Sequence, residues 1–321
     1  MNPFSEKDPI GALGEKPLIS RICRMLGSAM PQPPFGAGDD CAVLPQIGGK
    51  MLATADSVIY GRHFDDSAPA ELVGRKLLNR NASDIASMGG DPLYAITSAI
   101  MSPNVSAGWL DGFCKGLAAA AEEFGIKVVG GDVASVGGTF FAMNLTLFGR
   151  APERPLLRSS AEVGDVVYTT GRLGLSFESG RHLTFVPRLE QGKYLASLEG
   201  VGACTDLSDG LAADIENIIP ENACAEIAPQ SVPRTQFCGR TATLEQALCG
   251  GEDYELLFTF RGDCAAFERA WLERFGESVF RIGEIRAARS DAEYGKLVLV
   301  DPQSGVRGIF GTGGFDHFAQ A

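Results

Sequence analysis

The feature that most constrains this chain is the recurrence of acidic residues in short glycine- or serine-rich settings. The first is Gly38-Asp39-Asp40, near the start of the sequence. Further examples are Asp56, Asp84, Asp132, Asp206, Asp209 and the run Gly250-Gly251-Glu252-Asp253. One such group is typical of a solvated turn. The whole series leaves two interpretations open, scattered surface charges or one divided metal–phosphate site.

The bulk properties exclude several classes of protein. A chain of 321 residues is long enough for two domains with separate cores. It has no run of eighteen apolar residues, so no membrane span is predicted. The first residues lack the basic and apolar regions of a secretion signal. A net charge of −12 argues against a nucleic-acid surface, although acidic sites do bind nucleotides through Mg²⁺.

Cysteine and histidine usage argues against a zinc centre. The eight cysteines form no Cys-x-x-Cys pair, and only three histidines occur. Without a secretion signal, we expect reduced cysteines and a cytoplasmic protein.

The first 150 residues alternate predicted strands, acidic turns and helices. We predict a strand over 51–55 that ends at Asp56, helices over 67–88 and 106–124, and strands over 126–130 and 139–148. On the first helix, Asn81 and Asp84 fall on or beside the apolar stripe. A buried carboxylate needs compensation, which an arginine, a helix terminus or a metal could supply. Gly130-Gly131-Asp132 follows a strand, where glycines allow close approach to phosphate, although a simple turn is the commoner explanation.

A composition change at Gly149-Arg150-Ala151-Pro152 marks the predicted domain boundary, giving domains 1–150 and 151–321. In the second domain we predict strands over 165–171, 203–205, 255–260, 280–285 and 297–300. Predicted helices follow Pro187 and Gly210 and cover 244–248 and 264–275. Asp206-Leu207-Ser208-Asp209 lies at a strand-to-helix turn, where such side chains cap a helix or hold metal and phosphate.

The chemistry of this list points to phosphoryl transfer. We find no Walker P-loop, no protein-kinase signature and no Gly-x-Ser-x-Gly elbow in the sequence. Several carboxylates with few bases suit a Mg²⁺-dependent reaction in which positioning and charge neutralisation supply most of the rate.

In order along the chain, the acidic groups resemble those of the thiamine-monophosphate kinases, in the wider aminoimidazole-ribonucleotide synthetase-like superfamily. The resemblance runs from about residue 36 to Phe315-Asp-His-Phe. Its motifs are Gly-Asp39-Asp40-Cys, Asp56 before Gly61-Arg-His63-Phe64, Asn81-Ala-Ser-Asp84, Gly-Gly-Asp132, Arg158-Ser-Ser, Asp206-Leu-Ser208-Asp209-Gly and Gly-Gly-Glu252-Asp253-Tyr-Glu-Leu.

The resemblance implies an α/β fold of the α+β kind with two domains. The N-terminal mixed sheet with helices would bind ATP and Mg²⁺ and would dimerise into a barrel-like core. The C-terminal α/β domain would complete the site. The implied enzyme is a kinase that transfers phosphate in line from ATP to thiamine monophosphate in a homodimer, with no nucleic acid or membrane partner. The acceptor is already a phosphate, so no residue need act as a general base.

The resemblance also implies roles for individual residues. Several Mg²⁺ ions would be held by Asp40, Thr54, Asp56, Asp84, Asp132, Asp206 and Asp209. The contacts to ATP would be Gly131, Arg158 and Ser208. Thiamine monophosphate would contact His63, Glu252 and Phe315.

The chain departs from the family pattern in three places, which together bear more on the identity of the acceptor than on the phosphoryl transfer. Ala55 replaces a hydroxyl residue before Asp56, and Val133 and Ala134 replace hydroxyls after Asp132. The loop over 171–180 lacks the usual run of small residues. Two alternatives therefore stay open, a related synthetase that activates another small acceptor and a nucleotide-binding homodimer without turnover.

Overall fold

The computed structural model describes residues 2–311, which separate into two compact units. Of the described residues, unit 1 comprises 2–85, 90–151 and 183–186, and unit 2 comprises 86–89, 152–182 and 187–311, so the main division falls between Ala151 and Pro152. Among the described residues, no helix has both the length and the apolar character needed to span a bilayer.

Unit 1 is a four-stranded mixed sheet with helices packed on one face. Its helices are α1 (Glu15–Leu26), α2 (Ala70–Ser87, which ends in unit 2) and α3 (Ala107–Phe124). Its strands are β1 (Met51–Ile59), β2 (Asp91–Met101), β3 (Lys127–Ser135) and β4 (Phe141–Arg150). The strand order is β1-β4-β2-β3, with β2 and β3 parallel and the other pairs antiparallel.

Local sequence signals account for the limits of these helices. The Ser106 hydroxyl accepts a hydrogen bond from the Trp109 amide at the start of α3, and Gly125 ends that helix in the left-handed region at φ 70°. The Pro69 carbonyl accepts the Val73 amide at 3.1 Å, so Pro69 occupies the N-cap position directly before α2.

Helices α2 and α3 cross in near backbone contact because glycines face each other at the crossing. A Cβ on Gly74 would lie 1.9 Å from the Phe113 carbonyl oxygen, and a Cβ on Gly116 would lie 1.8 Å from the Glu71 carbonyl oxygen. No side chain fits at either position. The crossing therefore fixes where α2 lies over the sheet.

Unit 2 is built on a seven-stranded sheet in the order β13-β12-β7-β11-β5-β10-β6, in which β12 and β7 are parallel and the other pairs antiparallel. Its strands are β5 (Val166–Thr169), β6 (Val201–Asp206), β7 (Ala223–Ile227), β10 (Leu256–Phe260), β11 (Phe280–Ala287), β12 (Leu297–Val300) and β13 (Arg307–Ile309). A separate hairpin consists of β8 (Gln236–Phe237) and β9 (Arg240–Thr241).

Helices lie between the strands of the second half. They are α4 (Arg181–Thr184, which crosses from unit 2 into unit 1), α5 (Leu189–Ala196), α6 (Leu211–Asp214), α7 (Leu244–Cys249) and α8 (Cys264–Phe275). Thr243 and Gln246 form a capping box on α7, and the Asp263 carboxylate caps α8. The helix predicted after Gly210 is only one α-turn long and continues as a 3₁₀ segment, Ile215–Ile218.

Candidate active site

In unit 1, three predicted ligands lie where α2 packs on β1. The Thr54 hydroxyl donates to Asp84 Oδ2 at 2.5 Å, and Asp56 pairs with Arg80 at 3.2 Å between Nη2 and Oδ1. The Asp56 amide also donates to Asn81 Oδ1 at 3.0 Å. Asp84 thus has a neighbouring hydroxyl as a partner, a group not among the three expected for it, while an arginine of the same helix pairs with Asp56.

His63 lies beyond the end of β1 in the same unit. Its ring is buried, and Nδ1 accepts the Ile59 amide at 3.0 Å, which identifies Nδ1 as the unprotonated nitrogen of that hydrogen bond. The His63 carbonyl accepts from the buried Lys76 ammonium at 2.8 Å.

Gly131 and Asp132 lie at the opposite edge of the same sheet. β1 and β3 are separated by β4 and β2, which at normal strand spacing puts them about 14 Å apart. Asp56 is in register with Leu145 and hence with Thr97 and Gly131, whereas Asp132 is in register with Ser98. Adjacent cross-strand rows point to opposite faces, so Asp132 projects from the face away from α2. One copy of unit 1 does not bring Asp56 and Asp132 to a single ion.

Gly131 borders a cavity of about 110 Å³ in unit 1. Its lining is mostly apolar and comes from α1, α3 and the strands β2, β3 and β4, with Cys23 and Cys114 among the lining residues. Burial raises the pKa of the Cys114 thiol to about 12. A Cβ on Gly131 would lie 2.5 Å from the carbonyl oxygen of Thr97, so the position admits only glycine without a shift. Ala37 lines the same cavity.

Asp40 lies outside the strands and helices, in the exposed segment before β1. Its amide donates to the Asp39 carboxylate at 3.0 Å. Asp39 therefore shapes the turn, which leaves the Asp40 side chain exposed.

In unit 2, two acidic motifs lie side by side. β6 ends at Asp206 in register with Leu256 of β10, and the Leu207 amide donates to the Glu255 carbonyl at 2.9 Å. The Glu252 amide donates to the Ser208 carbonyl at 2.7 Å. Asp206, Ser208 and Glu252 are therefore held on adjoining backbone segments.

Arg158 and Asp209 belong to the same neighbourhood. Arg158 Nε donates to the Thr205 hydroxyl at 3.1 Å, one residue before Asp206. The Asp209 amide donates to the carboxylate of Asp214 at 3.0 Å, and the Gly210 amide donates to the same oxygen at 3.1 Å. The predicted residues of unit 2 are thus assembled around one strand-to-helix turn.

The electrostatics of this turn suit a cation. Burial raises the pKa of Asp214 well above its usual range, and the charges of Asp206 and Asp209 raise it further. A carboxylate whose pKa is raised by neighbouring carboxylates is stabilised in its charged form by a bound positive ion. Within residues 2–311, no group of three or more His, Cys, Asp or Glu side chains is placed so that it could hold a metal ion by itself.

Comparison with known proteins identifies the family. A model of the N-terminal domain of AIR synthase related proteins matches residues 38–151. Over 336 aligned positions, the chain is 33% identical to a thiamine-monophosphate kinase of Salmonella typhimurium, covering 96% of this chain and 99% of that protein. The chain belongs to the thiamine-monophosphate kinase family.

Solved structures of the thiamine-monophosphate kinase family share the fold. The enzyme from Stenotrophomonas maltophilia K279a superposes with a TM-score of 0.72 at 28% identity, over 86% of this chain and 95% of that one. A structure described as AaThiL complexed with AMPPCP and TMP gives a TM-score of 0.68 at 26% identity, over 98% and 100% of the two chains. The predicted mixed α/β fold is confirmed.

Several residues of this family member were not predicted as site residues. Lys76 and Arg80 precede Asp84 at four-residue steps on α2, a spacing that could have indicated a shared helix face. Asp214 and Asn144, whose amide donates to the Asp56 carbonyl at 3.3 Å, carried no such signal. Phe315, the predicted aromatic contact, lies outside the described residues.

Proposed function

We propose that the protein transfers the γ-phosphoryl group of ATP to thiamine monophosphate, forming thiamine diphosphate and ADP. The observation that carries the proposal is the assembly of Arg158, Asp206, Ser208, Asp209 and Glu252 around one turn of unit 2. Such an assembly presents a cationic group, hydroxyl and carboxylate oxygens, and backbone amides within one small region. These are the groups used to orient phosphates and their counterions.

The proposed chemistry needs no general base. The attacking oxygen belongs to a phosphate that is ionised at neutral pH, so no proton must be removed from it. The residues then act by holding donor and acceptor in line and by neutralising charge. Arg158 and Ser208 would contact the ATP phosphates, while His63, Glu252 and Phe315 would contact the acceptor.

Mg²⁺ fits the donors that are present. It retains several waters and is bound through one or two carboxylates plus substrate phosphates, rather than by a complete protein cage. That preference agrees with carboxylates that occur in small groups, Asp84 beside Thr54 and Asp206 near Asp209. The proposed ligands are Asp40, Thr54, Asp56, Asp84, Asp132, Asp206 and Asp209. The ions would supply charge neutralisation at the phosphates.

The cavity beside Gly131 supports a position for the nucleotide. An apolar cavity next to a strand whose glycine allows close backbone approach suits a flat base joined to phosphates. We therefore assign the cavity lined by Cys23 and Cys114 to the base of ATP.

A homodimer is supported by the sheet of unit 1. Ile96, Ile100 and Met51 lie on its open face and are 40%, 45% and 58% exposed. Apolar side chains grouped on one face indicate a surface that is covered in the assembled protein. If Asp56 and Asp132 serve one ATP, Asp132 must come from a second copy, because they lie at opposite edges and faces of the sheet. We further propose a cytoplasmic location.

The direct test uses purified protein with ATP, Mg²⁺ and thiamine monophosphate, and measures thiamine diphosphate by chromatography. We expect stoichiometric formation of ADP and thiamine diphosphate, lost on chelation of Mg²⁺. ATP binding without thiamine diphosphate formation would refute the proposal. Aminoimidazole precursors serve as control acceptors, and product from them alone would favour a related synthetase.

A further inference from the structure

An aromatic pair joins the loop before α4 to α4 itself, with Phe177 exposed and His182 half-buried. Phe177 is 47% exposed, and its ring lies against that of His182 with centroids 4.6 Å apart and planes inclined by 32°. His182 Nδ1 lies 3.0 Å from the Ser176 carbonyl, a contact that orients the imidazole. The Phe177 ring is thus partly open to solvent and is held in place by its contact with the His182 ring.

Buried polar contacts fix this loop. The Asp253 carboxylate, whose side chain is fully buried, accepts the Gly174 amide at 3.0 Å and the Ser176 hydroxyl at 2.5 Å. Arg181 forms an ion pair with the same carboxylate and donates through Nη1 to the Arg172 carbonyl at 2.6 Å. A buried carboxylate with this many donors holds its surroundings rigidly, because loss of any partner leaves charge uncompensated.

Asp253, the carboxylate that anchors this loop, follows Glu252, and the residues on both sides of Asp253 have unusual backbone angles. Glu252 and Tyr254, on either side of Asp253, have φ values of 53° and 50°, and Leu175 on the loop has 58°. Residues other than glycine rarely adopt this region, and those that do cluster at functional sites. Asp253 therefore joins the shaped turn that presents Glu252 to the loop that presents Phe177.

We propose that the Phe177–His182 pair is an additional acceptor subsite that stacks on the heteroaromatic part of the phosphate acceptor. The proposal rests on the proposed function, because it takes Glu252 as the neighbouring acceptor contact. An exposed, rigidly mounted ring offers a flat apolar face at little entropic cost. A positively charged heterocycle gains further from the negative face of phenylalanine. Phe177 lies in the loop over 171–180, which differs from the run of small residues that the family resemblance implies, so we assign this subsite to the acceptor selectivity of this chain.

The test compares Phe177→Ala with Phe177→Tyr and His182→Ala. For Phe177→Ala we expect the KM for thiamine monophosphate to rise about two- to tenfold, the range of an aromatic pair, with the KM for ATP unchanged. His182→Ala should change the same constant in the same direction, and Phe177→Tyr should retain the wild-type value. The matched control is Phe237→Ala, a phenylalanine of the same unit that is 39% exposed and should change neither constant.

Two results separate this inference from the proposed function. If the wild type is active and Phe177→Ala has an unchanged KM for thiamine monophosphate, the inference is overturned. If wild type binds thiamine monophosphate without turnover, the proposed function fails and calorimetry decides the inference. A dissociation constant raised in Phe177→Ala but not in Phe237→Ala then supports it, and equal constants overturn it. Absence of thiamine monophosphate binding overturns both.

Discussion

The two units arrange their carboxylates in contrasting ways. In unit 2, Asp206 and Asp209 belong to one short turn whose amides and neighbouring strand fix their positions. In unit 1, Asp56 and Asp132 belong to the two edge strands of the sheet and point to opposite faces. A turn brings together residues that are close in sequence, whereas a sheet decides which distant residues can meet. The contrast makes unit 1 the place where the proposed site would take a residue from a second copy.

The largest expected effect tests whether both units serve one reaction. Asp84→Asn and Asp206→Asn should each lower kcat by about 100-fold or more, because each removes charge at a proposed Mg²⁺ site. The measurement is thiamine diphosphate formation at saturating ATP. Asp111→Asn is the control, since Asp111 of α3 pairs with Arg21 far along the chain and belongs to no proposed site. Full activity in one of the two aspartate variants would show that the unit carrying that aspartate does not supply a Mg²⁺ ligand from that position.

The split in unit 1 predicts complementation between subunits. Asp56→Asn and Asp132→Asn should each be inactive alone, but co-expression and joint purification should restore about a quarter of wild-type activity, because half of randomly paired dimers keep one intact composite site. Co-expression of Asp56→Asn with Asp84→Asn should restore no activity. Both residues would come from the same subunit at each composite site, so every site in a mixed dimer carries one of the two changes. If co-expression with Asp132→Asn restores no activity, Asp56 and Asp132 do not belong to one composite site.

The turn of unit 2 predicts a graded loss on removal of its support. Asp214→Asn should weaken activation by Mg²⁺ about tenfold, the lower end of the range for residues that orient metal ligands. Its carboxylate accepts the Asp209 and Gly210 amides, so an amide at this position disturbs the turn without removing a proposed ligand. The Mg²⁺ dependence of the rate is the measurement, with thermal unfolding as a check on folding. An unaltered Mg²⁺ dependence would show that the turn holds its shape alone.

Modification of Cys23, which lines the cavity beside Gly131, tests the proposed position of the ATP base. With ATP at ten times its dissociation constant, alkylation of Cys23 should slow about tenfold, while inorganic triphosphate at the same occupancy should protect less. Mass spectrometry of the peptides gives the rate for each cysteine. Cys238, which is exposed in unit 2, is the internal control and should react at the same rate throughout. Equal protection by triphosphate would show that the base of ATP does not occupy the cavity.

The sequence predicted elements whose signals are local. The limits of α8 and β12 agree with the structure, because a cap, an apolar period or a bounded apolar run marks each one. β2 was not predicted, although it pairs with both β3 and β4. It follows α2 almost at once and begins at Asp91-Pro92, a dipeptide more typical of a turn.

The same distinction applies to the site. The Asp206 turn could be predicted because its residues are contiguous and act together. The separation of Asp56 from Asp132 could not, since strand order is set by long-range pairing that no local pattern encodes. Asp214 was not singled out, and the anchoring role of Asp253 was not predicted, because a buried carboxylate that holds a turn resembles any other acidic residue in the sequence.

The glycines at the crossing of α2 and α3 have a consequence for how this family member tolerates variation. Gly74 and Gly116 are close to no proposed ligand, yet their Cβ positions are filled by backbone atoms of the opposing helix. Any substitution must push the helices apart, and Asp84 would move with α2. In a saturation mutagenesis screen for growth, both positions should reject every replacement as firmly as the aspartates do. A map of intolerant positions would therefore overestimate the active site unless backbone packing is taken into account.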